Sequence, residues 1–81
     1  MSIHDVVEQK LAAAFPRAQI EVVDTTAGHE KHNSLTNLFV TVKWIGFKDL
    51  PLIDQHRLIH KALEEELKTS IHALRITSGT P

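Results

Sequence analysis

Ile3, Val7, Leu11 and Ala14/Phe15 recur at helical spacing through the first fifteen residues, and Val6 widens the apolar stripe. Ser2 is suited to cap this segment, and Asp5 lies near the positive end of its dipole. Pro16 pushes the residue before it out of the α region, so the pattern predicts a helix over about residues 3–14. From Gln19 to Asp24 the period changes to two, with Ile20 and Val22 on one face. Leu38, Val40, Val42 and Trp44 repeat that alternation more strongly and mark a second strand. The connection from Thr25 to Asn37 is much longer than an ordinary hairpin loop, and connections of that length are commonly functional. After Gly46-Phe47-Lys48-Asp49-Leu50-Pro51 the helical period returns, with Asp49 as the expected cap and Pro51 in the first turn. Leu52 or Ile53, then Ile59, Ala62/Leu63 and Glu66/Leu67, share one face and predict a helix over about 52–68. Glu64 and Lys68 are spaced for an i,i+4 ion pair on it. Residues 72–77 read as a third strand with Leu74 and Ile76 inward and Arg75 outward, and residues 78–81 as a frayed tail.

The order α-β-β-α-β predicts a small α+β domain over residues 1–81, with helices packed on one face of a three-stranded sheet. At 42% hydrophobic and 23% charged, the composition is that of an ordinary globular domain rather than a disordered chain. A net charge of −1 excludes the basic excess that phosphate binding usually requires, although it leaves room for a local basic face. The chain has no cysteine, hence no disulfide, thiol nucleophile or thiolate ligand of its own. Its first residues lack the basic-then-apolar form of a signal peptide, and no run approaches the ~20 apolar residues of a membrane span. The expected setting is cytoplasmic.

What remains is histidine chemistry. Neutral imidazole is the commonest protein metal ligand. His72 begins the third strand and shares parity with Leu74 and Ile76, which would aim it at the rim of the core; the plainer alternative is a half-buried ring bonded to a carbonyl. His29 and His32 stand three apart in the long connection. His56 and His60 share a helix face at i,i+4 and would need a third converging ligand to hold zinc. Arg57 and Lys61, with Lys68 further along and Lys43 and Lys48 nearby in sequence, outline a basic face that Glu64, Glu65 and Glu66 oppose. No activated nucleophile and no glycine-rich phosphate loop is visible, so the chain does not read as an enzyme.

Taken in order, Phe15-Pro16, Asp24, Gly28-His29, Phe39-Val40, the Phe47 to Leu50 turn, His56-Arg57, Glu66-Leu67, Ile71-His72-Ala73-Leu74 and Thr80-Pro81 resemble the BolA family over nearly the whole chain. The resemblance implies a KH-like (class II) fold with a mixed sheet. It also implies pairing with a monothiol glutaredoxin of the Cys-Gly-Phe-Ser type, the chain being a monomer alone and a heterodimer with that partner. Between them the two proteins, with the glutaredoxin's glutathione, would hold a [2Fe–2S] cluster. The positions matching His72 and His29 are the family's ligands on this side, and the resemblance leaves His32 without a counterpart. It further implies an alternative, DNA-binding regulation of morphology and stress genes, for which Arg57 and Lys61 are the candidate contacts. Gln55 and His60 depart from the arginine and aromatic common at their positions, and Gly46-Phe47-Lys48-Asp49 lacks the second glycine of an RNA-clamping loop. The expected weight of the two ligands is unequal, His72 at a strand end counting for more than His29.

Overall fold

The computed structural model describes residues 3–25 and 36–81. Helix α1 (Ile3–Ala14) is followed by β1 (Gln19–Asp24), β2 (Thr36–Lys43), a single 3₁₀ turn (Ile45–Phe47), α2 (Leu52–Ala62), α3 (Glu64–Thr69) and β3 (Ile71–Gly79). The sheet is mixed, in the order β1-β2-β3, with β1 antiparallel and β3 parallel to the central β2. Both α1 and β1 occupy the spans that their periodicity predicts.

Inward alternation builds one face of the core from Val22, Leu38, Val40 and Val42, and α1 lays Val7 and Leu11 against it. Phe15, Trp44 and Phe47 close one end as three mutually edge-on rings, with centroids 5.1 to 5.3 Å apart. Trp44 keeps the parity of Val42, and its indole Nε1 donates to Pro16 O at 2.9 Å. A Cβ on Gly46 would lie 2.6 Å from that indole, so this glycine is the space into which the ring packs. The opposite sheet face carries Val23, Phe39 and Arg75 side by side, all exposed.

Five expectations need correction. The 52–68 helix is two helices, because Leu63 adopts φ −108° and ψ 18° and shares its N–H between Ile59 O and His60 O. Neither glycine nor proline causes the break. It buries Leu63 completely and lets Glu66 meet Lys10 of α1 at 2.6 Å, so tertiary contacts override the local pattern. The expected Glu64–Lys68 pair is not among the ion pairs of the described residues, where the neighbouring Glu65 and Glu66 both reach Lys10 instead. Asp49 caps nothing; it takes φ 66° in the preceding turn, and Pro51 is the residue that flanks the helix. Leu52 and Ile53 are exposed at 58% and 60%, and the buried face begins instead at Gln55, whose Nε2 donates to Leu50 O at 2.8 Å. Finally, Ser78 and Gly79 pair with Val42 and Lys43, and Gly79 O accepts from Trp44 N, so the supposed tail is strand.

The hydrogen bond to Glu66 raises the Lys10 ammonium above its ordinary 10.5, helped by the charges of Glu66 and Glu65 and opposed by burial. A raised folded-state value means that this contribution is complete below the unfolded value and is lost as pH rises through the folded one. Urea melts should therefore show a constant gap between wild type and Lys10→Gln from about pH 7 to 9, closing at pH values above the folded value. A gap that widened with alkalinity would contradict the assignment.

Candidate functional site

The parallel register brings the start of β3 to the start of β2. Thr36 pairs with Ile71 and Asn37 with Ala73, so one step on β2 matches two on β3, and His72 is the extra residue of a bulge. Bulges gather at sheet margins and beside functional sites. This one also changes the burial pattern, since Ile71 is 3% exposed while Leu74 and Ile76 pack on the same core three and five residues later. The strict alternation that aligned His72 with Leu74 does not carry through it. The facing expected of the His72 ring concerns a side chain that lies outside the described residues.

At the same end of the sheet, Thr25 N donates to Asn37 O at 2.8 Å and closes the base of the connection between β1 and β2. His29 and His32 fall outside the described residues. The β2 stem of the connection is one strand spacing, about 4.8 Å, from the β3 segment that contains His72, and the β1 stem, across β2, is two spacings, about 9.6 Å, from it.

The other histidines divide. His4 Nε2 donates to Val22 O at 2.7 Å and fastens α1 to β1, while its Nδ1 lies 3.7 Å from Asp5 Oδ1. With Glu8 these residues form the one metal-type cluster among the described residues, on an exposed first helical turn. Sequence reading passed over it, although His4 and Glu8 at i,i+4 were the available signal. No third ligand among the described residues converges on His56 and His60.

Arg57 and Lys61 project from the exposed side of α2. Arg57 is 3.8 Å from Asp54, and Lys61 forms the shared wall of two clefts. One, of about 250 Å³, is lined by Ala14, Phe15, Trp44, Leu58 and Ala62 besides Lys61. The other, of about 470 Å³, is lined by Arg57, His60, Glu64, Leu67 and Lys68 besides Lys61.

These features define a small α+β domain with a bulged strand start beside a long connection, and no helix among the described residues is long and apolar enough to cross a membrane. The family model described as "BolA-like protein" matches residues 11–81, and the chain belongs to the BolA family. It is 35% identical to the DNA-binding transcriptional regulator BolA of Escherichia coli, covering 99% of this chain and 77% of that protein. It is 30% identical to the chloroplastic protein BOLA1 of Arabidopsis thaliana over 93% of this chain, but spans only 51% of that protein's length. The solved structure of Arabidopsis BolA1 matches with a TM-score of 0.87 at 28% identity, covering all of this chain and 94% of that one. The BolA domain of SufE1 from the same plant matches with a TM-score of 0.86 at 31% identity and the same coverages.

Proposed function

We infer that the chain is a non-enzymatic interaction module that pairs with a monothiol glutaredoxin and contributes His72 and His29 to a bridging [2Fe–2S] cluster, in cluster trafficking or iron sensing. Family membership supports the role in general. The observation that carries the particular reading is the common sheet end shared by the bulged His72 segment and both stems of the His29 connection. The donor set fits as well. Iron–sulfur clusters are ordinarily held by thiolates, and two imidazoles can replace two of them, as in Rieske centres. A chain with six histidines and no cysteine suits half of such a site, with a thiol-bearing partner as the other half. When bound, the cluster supplies one-electron and transfer chemistry; this chain's part is to hold one side of it.

The test is anaerobic reconstitution of the purified pair with iron, sulfide and glutathione. A co-eluting heterodimer should appear, with absorption and circular dichroism distinct from those of glutaredoxin alone. Identical spectra with and without this chain would refute the reading. A second reading, DNA-binding regulation through Arg57 and Lys61, is supported by the name of the Escherichia coli relative. It calls for affinity that falls with salt at a log–log slope of about −0.9 per phosphate contacted.

A further inference from the structure

We propose that the two clefts meeting at Lys61 form one docking surface for a short acidic segment of a partner protein. A bulky apolar side chain would enter the cleft between Trp44 and Leu58, and neighbouring carboxylates would meet Arg57, Lys61 and Lys68. The apolar half has a rigid wall, because Trp44 is held edge-on against Phe15 and Phe47 and its Nε1 is committed to Pro16 O. Its other wall, Leu58, is 41% exposed, a large apolar side chain left in water on a mostly polar helix.

Charge supplies the rest of the argument. Lys61 and Lys68 make no ion pair with any described residue, and Arg57 only the long contact to Asp54. Of the three consecutive glutamates, Glu65 and Glu66 are turned toward Lys10 of α1, which leaves Glu64 as the single carboxylate lining the cleft. A chain of net charge −1 thus presents three cations against one anion on this surface. An apolar slot opening onto cations fits a hydrophobic residue followed by aspartates or glutamates, the side-chain anchor supplying affinity and the charges supplying orientation. A nucleic-acid backbone is the poorer fit. A row of phosphates would leave the apolar slot between Trp44 and Leu58 unused.

The apolar slot is also remote from the sheet end discussed above, although Lys68 at the other limit of the surface lies four residues before His72. Trp44 follows the last residue of β2 and His72 lies against its first, so eight residues of strand, about 25 Å at ~3.3 Å each, separate the two. The surface is argued from its own lining and charges, none of which is a proposed cluster ligand. This proposal therefore stands whether or not the cluster reading holds.

The experiment uses the full chain, labelled with ¹⁵N, and eight-residue acetylated peptides with Trp, Phe or Leu followed by Glu and Asp. Charge-neutral Gln/Asn versions and a 15-base-pair duplex DNA serve as the other arms. At least one acidic peptide should shift the Trp44 indole resonance together with the amides of Leu58 and Lys61. Lys61→Glu and Leu58→Ser, both exposed and expected to fold, should each weaken that binding at least tenfold while the rest of the spectrum is unchanged. The proposal is overturned if no acidic peptide moves the indole at millimolar concentration, or if the neutral peptides bind equally well. It is equally overturned, in favour of nucleic acid, if the duplex perturbs these resonances at lower concentration than any peptide.

Discussion

His72→Ala is expected to abolish the mixed-ligand cluster spectrum of the reconstituted pair, His29→Ala to weaken it, and His32→Ala to leave it nearly intact. The ranking follows from how much order each residue brings to the site. The backbone on both sides of His72 is fixed, because Ile71 pairs with Thr36, Ala73 pairs with Asn37, and Ile71 is buried in the core. A ligand held this way enters binding already positioned. His29 lies five residues past Asp24 and seven before Thr36, in a connection much longer than an ordinary hairpin loop. Fixing the backbone of each residue in such a connection costs about 1–2 kcal/mol, which offsets part of what the iron–nitrogen bond contributes. His29→Cys should keep a cluster with altered circular dichroism, since thiolate is the ordinary iron ligand. Visible circular dichroism of the four variants with glutaredoxin, iron, sulfide and glutathione measures all of this. Loss in His32→Ala with retention in His29→Ala would reverse the loop assignment. An unchanged spectrum in His72→Ala would remove the site.

How far these features can be read from sequence depends on whether local or tertiary forces fix them. Ile3 to Ala14 and Gln19 to Asp24 were legible to the residue because each buries one face at a single period and is bounded by a turn. The break at Leu63 was not legible, since it is caused by the reach of Glu66 to Lys10 on another helix. Gln55 illustrates the same limit, a polar side chain drawn inward by the carbonyl of Leu50 while Leu52 and Ile53 stay outside. Strand β3 runs on to Gly79 because backbone pairing with Lys43, to which side-chain propensity is indifferent, continues to the end of β2. At the candidate site the residue types were legible but the bulge in the β3 backbone was not. A parity rule fails wherever one extra residue enters a strand, and the extra residue here is His72 itself. For Arg57 and Lys61 the sequence gives the charge, and the fold adds the apolar cleft beside it.

The largest loss of stability is expected from Phe47→Ala. Phe47 is 1% exposed in the turn between β2 and α2, its ring 5.3 Å from both Phe15 and Trp44 at 61° and 89°. Truncating a buried phenylalanine costs about 3–5 kcal/mol, as lost transfer energy plus a cavity that the surroundings only partly refill. The two edge-on contacts stand to lose something of the order of 0.5–1.5 kcal/mol each beyond area burial, and part of that is already counted in the truncation cost. An 81-residue chain is held by roughly 4–12 kcal/mol in total, so the variant should be largely or wholly unfolded near the lower bound and severely weakened at the upper. Phe47→Leu should keep most of the volume and cost considerably less. Urea denaturation followed by Trp44 fluorescence reads both, since the only tryptophan stands against the substituted ring. A loss below about 1.5 kcal/mol for Phe47→Ala would mean that the three-ring cluster relaxes freely. In that case Phe15 and Trp44 could not provide a preformed wall for the cleft at Leu58. Any Phe47→Ala protein that remains folded should therefore bind the acidic peptides poorly while the His72 end, on the far side of β2, still takes part in cluster formation.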